Sequence, residues 1–344
     1  MGPLLPDDSS LLQRLWRRTR NITIELIVLL LMTVLMPVWL LCGAVLDLAL
    51  WLKRRKPWMT MRMVLVLWWV LVGEAYALAG ILVIYVLTLG RDSERRRGLI
   101  FELKRQWVRS HLRGLRIFLG LRFEIEDLAL AGPGPVFVMT RHASIIDNAL
   151  PDAIIGTAHG TGFRFVIKRE LQMLPTIDIA GRMVPTLFVR RGSSDTEGEL
   201  AKMQALTTNL GPNDGLLLYP EGTRCTPEKL ARAKEIIAER QPEIAPLADR
   251  LKHVLPPRLG GALTLLQGAR EADVVIFGHV GLDGFEYISD IWAGGLLNTT
   301  VQLKFWRHPT DGIPYDDHDA LVQWLYARWL ELDDWIDTKL AAAA

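Results

Sequence analysis

Two long apolar runs near the start of the chain restrict what it can fold into. Residues 22–52 are almost unbroken Leu, Ile, Val, Met and Trp, with Glu25 and Asp47 as the charges among them. Residues 63–89 form a second run, interrupted by Glu74. Roughly 20 apolar helical residues cross a hydrocarbon core about 30 Å thick, so each run is long enough to do so. A cleaved signal peptide fits poorly, because the first run is too long and no small-residue cleavage pattern precedes a soluble stretch. Trp39, Trp51, Trp58, Trp68 and Trp69 lie in or beside the runs, where indole rings favour the membrane interface. The 344 residues are 50 % hydrophobic and 23 % charged, the balance of a chain that is part membrane and part aqueous. That much apolar material excludes intrinsic disorder. Two distant cysteines, Cys42 and Cys225, exclude a disulfide framework.

Basic residues flank both runs. Arg14, Arg17, Arg18 and Arg20 precede the first, Lys53, Arg54, Arg55, Lys56 and Arg62 fill the connection, and Arg91, Arg95, Arg96, Arg97, Lys104 and Arg105 follow the second. A two-pass hairpin puts the N-terminus and the later chain on one side. That side carries more positive charge and is expected to be cytoplasmic. A hairpin that dips into one leaflet would also explain basic residues at every end; of the two, spanning is the expectation. The chain then divides into a basic segment over 1–20, two membrane helices over 21–90, an amphipathic helix and linker over 91–133, and an α/β domain with a C-terminal helix over 134–344. In the linker region, Arg105, Arg109, Arg113 and Arg116 recur at helical spacing opposite Phe101, Val108, Leu112, Leu115 and Leu119. Such a helix either lies on anionic headgroups or covers a protein core with a solvated face outward.

Beyond residue 134, β-rich runs at 135–140, 163–168, 184–190, 215–219, 273–280 and 300–306 alternate with helical stretches. Alternation of this kind predicts an α/β domain, a mostly parallel sheet flanked by helices. The carboxyl ends of parallel strands share one edge, and ligands bind there. Arg141-His142 through Asp147 follow the first of these strands, Lys168 the second, Arg190-Arg191 the third and Glu221-Gly222-Thr223-Arg224 the fourth. His142 and Asp147 cannot meet inside one helix. They can meet if His142 lies in the loop and Asp147 in the first turn after it. A carboxylate on one imidazole nitrogen then raises basicity at the other, which is a means of activating a hydroxyl. Lys168, Arg191 and Arg224 at one edge would suit a phosphate dianion, and equally could be solvated strand-end charges. Gly222 lets backbone amides approach an anion.

These blocks, with Pro256-Pro257-Arg258 as a fourth, resemble the four ordered motifs of the glycerolipid acyltransferases, the 1-acyl-glycerol-3-phosphate and lysophospholipid acyltransferases, over about residues 130–285. The resemblance implies acyl transfer from acyl-CoA or acyl-carrier protein, as co-substrate with no bound cofactor, to a free lysolipid hydroxyl. It implies His142 as general base and Asp147 as its partner. It assigns Lys168, Arg191, Glu221, Gly222, Thr223 and Arg224 to the acceptor, and Pro257 to the acyl donor or to packing. It implies a membrane location, bacterial cytoplasmic membrane or endoplasmic reticulum, with membrane lipids as partners. Arg141 stands where the family commonly has Asn, and Arg190 where many members have Asp. The long segment between the third and fourth blocks looks more like the branch acting on lysophosphatidic acid and lysophosphatidylinositol. A lipid hydrolase and an inactive lipid-binding protein are the rival functions.

Other features are read as structural. His279 is expected to be a packed or edge histidine, Ser144 a cap and Cys225 inert. No residues have metal-ligand spacing, and basic runs beside membrane segments point to lipid headgroups rather than nucleic acid.

Overall fold

The computed structural model describes residues 2–5, 9–189, 196–285 and 287–343. Among the described residues, seven strands form one sheet. They are β1 (Arg122–Glu126), β2 (Val136–Thr140), β3 (Gly162–Lys168), β4 (Thr186–Val189), β5 (Asp214–Leu218), β6 (Asp273–Val280) and β7 (Thr300–His308). Their spatial order is β1-β7-β6-β2-β5-β3-β4. From β6 to β4 every neighbouring pair is parallel. β7 runs antiparallel to β6, and β1 is parallel to β7. The expected α/β architecture is therefore present.

The central strand explains itself. Val136-Phe137-Val138-Met139-Thr140 is buried throughout, as a strand covered on both faces must be. Phe137 and Met139 pack on one side with Leu325 and Trp329 of the C-terminal helix (His318–Ala343). Val136 and Val138 pack on the other with Val108 and Leu112. Those two belong to α4 (Glu94–Leu119). The amphipathic helix thus spends its apolar face on the sheet rather than on headgroups.

One boundary moves. β1 falls inside the segment expected to be linker, so the sheet begins at Arg122. Arg122-Phe-Glu-Ile-Glu is a mostly exposed edge strand, and three charges in five residues hide its β character. The first apolar run also changes. It divides at Leu35 into α1 (Leu11–Val34) and α2 (Met36–Arg54), with Pro37 in the first turn of α2. Proline has no N–H to continue the preceding helix and suits the start of a new one.

The second run is α3 (Thr60–Leu87). α2 and α3 are each long and apolar enough to cross a membrane. Asp47, 1 % exposed in α2, accepts the N–H groups of Thr60 and Met61 at 2.9 and 3.0 Å. It caps α3 from a neighbouring helix, which explains a carboxylate in an apolar run.

α3 lies antiparallel along α4. The Trp69 indole donates to the Ser110 carbonyl at 2.7 Å, and the Tyr76 hydroxyl donates to Gln106 at 2.9 Å. Both ends of α3 meet the α/β domain. At one end Met59 is buried in a core with Leu282, Ile291 and Leu296, and the Trp292 indole donates to the Thr60 hydroxyl at 3.1 Å. At the other, Ile81 and Ile84 pack with Phe101 and Val184.

Candidate active site

The carboxyl ends of β2, β5, β3 and β4 form one edge, and His142, Lys168 and the Glu221–Arg224 block lie at three of these strand ends. His142 follows β2. Its Nδ1 lies 2.9 Å from Asp147 Oδ1. The other carboxylate oxygen accepts the amides of Ala143 and Ser144 at 2.7 and 2.8 Å. Asp147 is thereby held at three points of one tight loop and is 1 % exposed. With the carboxylate on Nδ1, that nitrogen carries the proton and Nε2 presents its lone pair, the tautomer a general base needs. The Tyr219 ring sits 4.9 Å from the imidazole, and its hydroxyl donates to the Asp147 carbonyl at 3.1 Å. Tyr219 completes the imidazole's wall. It was not singled out from the sequence, because an aromatic at a strand end reads as core.

The Glu-Gly-Thr-Arg block sits directly beneath this loop. Cys225 N–H donates to the His142 carbonyl at 2.7 Å. Glu221 is 1 % exposed. One of its oxygens accepts the His142 amide at 3.0 Å and the other the Leu255 amide at 3.2 Å. The resemblance assigns Glu221 to the acceptor; in the structure each of its two oxygens accepts one backbone amide. Through them it joins the first, third and fourth blocks. Burial pushes its carboxyl up to about 8, against the lowering influence of the nearby Arg141 charge.

Gly222 has φ +66°, and its amide closes a turn on the Tyr219 carbonyl at 2.9 Å. A Cβ there would lie 2.9 Å from Arg258 Nε, so glycine is required by both conformation and space. Pro257 is buried in the segment that bonds back through Arg258 N–H to the Pro220 carbonyl, 2.9 Å away. Arg224 and Thr223 are half-buried, and the Arg224 guanidinium stands 5.8 Å over the Tyr287 ring. Lys168 is half-buried at the end of β3. Arg190 and Arg191 lie outside the described residues.

Three further residues brace the dyad. Arg141, almost fully buried, donates to the carbonyls of His279 and His253, both at 3.0 Å, and to Asp283 at 2.6 Å. It ties the end of β2 to the end of β6. His279 is packed as expected, with Nε2 3.3 Å from the Arg141 carbonyl and 3.6 Å from Asp147 Oδ2. Sequence spacing could not reveal this contact, because β2 and β6 are neighbours only through the sheet order. Ser144 acts as a local cap: its hydroxyl accepts the Ile146 amide at 3.3 Å and donates to the Phe285 carbonyl at 3.0 Å. Burial pushes the Cys225 thiol up to about 12, consistent with an inert side chain.

Burial also pushes the His279 imidazole down to about 4, opposed by the Asp147 charge. Between pH 6.5 and 4 the unfolded chain then binds a proton that the folded chain does not. The stability from neutral His279 is complete above pH 6.5 and drains away as pH falls towards 4, by at most about 3 kcal/mol. Urea unfolding in detergent at pH 7.5 and 4.5 checks this, with His279→Gln expected to lose less stability on acidification than wild type.

Fold and site together define an α/β domain with a His–Asp pair at a sheet edge, an arrangement able to activate a hydroxyl. Residues 122–248 match the family model described as Acyltransferase. An uncharacterized acyltransferase of Schizosaccharomyces pombe is 23 % identical over 186 residues, 51 % of each chain. The 1-acyl-sn-glycerol-3-phosphate acyltransferase epsilon of Mus musculus is 28 % identical over 127 residues, 36 % of this chain and 33 % of that one. Lysocardiolipin acyltransferase 1 of Mus musculus is 22 % identical over 233 residues, 66 % of this chain and 60 % of that one. The chain thus spans between a third and 60 % of the length of these relatives. The crystal structure of PlsC, the 1-acyl-sn-glycerophosphate acyltransferase of Thermotoga maritima, superimposes with a TM-score of 0.50 at 16 % identity. It covers 79 % of this chain and 97 % of that one, a likeness of fold. The likeness to these acyltransferases is one of family pattern over residues 122–248 and of fold over most of the chain.

Proposed function

We propose that this protein transfers a fatty acyl group from acyl-CoA or acyl-carrier protein to the free hydroxyl of a lysophospholipid. The proposed acceptor is 1-acyl-sn-glycerol-3-phosphate and the product phosphatidic acid. The observation that carries the reading is the 2.9 Å contact of His142 Nδ1 with a doubly amide-bonded Asp147 at the edge that also bears Arg224. Neutral His142 takes the acceptor's hydroxyl proton at Nε2 as the oxygen attacks the thioester carbonyl. The tetrahedral intermediate collapses, the C–S bond breaks, and the thiolate leaves with the proton from His142. No covalent acyl-enzyme forms, because the thioester is already activated and alignment with proton transfer suffices. Arg224, Lys168 and Arg191 bind the acceptor's phosphate and set which hydroxyl reaches His142. Gly222 and Thr223 shape the turn beneath that phosphate, and Pro257 supports it by packing.

The protein works at a membrane, with its catalytic domain on the cytoplasmic face. α2 and α3 lie in one leaflet rather than crossing both. A helix of 28 residues is about 42 Å long, and one that crossed the bilayer would carry one end away from the domain. α3 keeps both ends on it. Its outward Leu, Val and Tyr side chains remain for lipid.

The test is acyl transfer in membranes containing the full chain, with labelled acyl-CoA or acyl-carrier protein and a panel of lysolipids. Diacyl product that depends on lysophosphatidic acid supports the reading. Preference for another lysolipid, such as lysophosphatidylinositol, would change the acceptor. Fatty acid release without acceptor would mean a hydrolase, and silence with both donors an inactive binding protein.

A further inference from the structure

The segment joining β6 to β7 leaves the dyad and ends in an exposed apolar tip. Asp283 pairs with Arg141 at 2.6 Å, the Phe285 carbonyl accepts the Ser144 hydroxyl, and the Tyr287 ring lies under Arg224. The chain then turns through a short helix (Ile288–Trp292). Tyr287 is 58 % exposed, Ile288 63 % and Trp292 38 %. This tip is seated on the connection between α2 and α3. Trp292 bonds to Thr60, a Cβ at Gly294 would touch Pro57 at 2.6 Å, and Lys56 Nζ stands 5.6 Å over the Trp292 ring. Beside it lie exposed Trp51 and Trp58 and the cations Lys53, Arg54 and Arg55, with Arg55 4.7 Å over the Trp51 ring.

We infer that residues 287–292 form a second membrane-contact element, separate from the apolar helices, that seats the mouth of the site on an anionic bilayer surface. The inference rests on the lipid acyltransferase reading for its purpose but not for its test. Two observations select a lipid partner. The patch is continuous with the exposed apolar faces of α2 and α3, so whatever solvates those helices also meets this tip. Its composition, indoles and a phenol with four adjacent cations, suits the headgroup boundary of an anionic leaflet, where aromatic rings settle and Lys or Arg meets phosphate. The same segment carries the Asp283, Phe285 and Tyr287 contacts to the dyad loop and Arg224. A lipid acceptor entering along the tip therefore reaches His142 without leaving the interface.

The full chain in a Cys42→Ser, Cys225→Ser background is labelled with an environment-sensitive fluorophore at Ile288→Cys. It is reconstituted in phosphatidylcholine vesicles with and without phosphatidylglycerol. Blue-shifted emission, quenched by shallow doxyl lipids and strengthened by phosphatidylglycerol, is expected. Emission that stays water-like and open to aqueous iodide would overturn the inference, whatever reaction the protein catalyses. The functional arm is Ile288→Glu, expected to lower turnover of a vesicle-borne acceptor on the order of tenfold while sparing a monomeric short-chain acceptor. Equal loss on both acceptors would overturn the surface role in favour of a structural one.

Discussion

Replacing His142 by alanine is expected to lower acyl transfer by about 10³-fold, within the range that a positioned general base supplies. The fold should survive. Asp147 keeps both backbone amides on Oδ2 when the imidazole is gone, and the His142 amide and carbonyl remain bonded to Glu221 and Cys225. Thermal unfolding should therefore shift little, and binding of the lysolipid should be nearly unchanged because the cations are intact. Activity of wild type and His142→Ala, measured on one preparation with matched melting curves, checks this. A variant that retained even a tenth of wild-type turnover would remove His142 from the chemistry. Asp147→Asn should behave differently. It would exchange the acceptor on Nδ1 for a group that can donate, favour the wrong tautomer, and weaken the two-amide clasp as well.

The second large effect is at Glu221. Glu221→Ala leaves the buried amides of His142 and Leu255 without acceptors, which costs roughly 3 kcal/mol in total. It also frees the dyad loop from the third and fourth blocks, so activity should fall together with the melting temperature. Glu221→Gln keeps the shape and one good acceptor, and most activity at neutral pH should return. The sign of the pH effect separates brace from ligand. A carboxyl raised to about 8 in the folded chain, from 4.5, makes the folded chain bind the extra proton between those values. Its stabilising contribution is complete below pH 4.5 and fades as pH rises through 8. The stability difference between wild type and Glu221→Gln should therefore move in favour of the glutamine variant from pH 6 to 9. A glutamate that contacted the acceptor would show its pH dependence in KM, with unfolding unaffected.

Local chemistry explains which parts of this protein could be read directly. The strands from β2 to β7 announced themselves because each is a short β-rich run bounded by Gly, Pro or charged residues. β1 did not, because an edge strand with one face in water needs no apolar run. The division of the first apolar run follows from Pro37, a local signal outweighed by the length of the run around it. The His142–Asp147 contact was accessible because a tight loop brings a spacing of five together. Glu221 was legible as a residue but not as a brace, since its two partners lie 79 and 34 positions away.

By itself, then, the amino-acid sequence determined the apolar helices, the strand–helix alternation and the set of chemical groups at the strand ends, because these depend on composition and on contacts a few residues apart. Only the tertiary structure decided that Arg141, His279 and Asp283 stand around the dyad, that Glu221 bonds the amides of His142 and Leu255, and that α3 lies along the domain with both ends attached. Those outcomes come from strand order and helix packing, which bring together residues from 34 to 138 positions apart and more, and no local pattern encodes a neighbour at such distances.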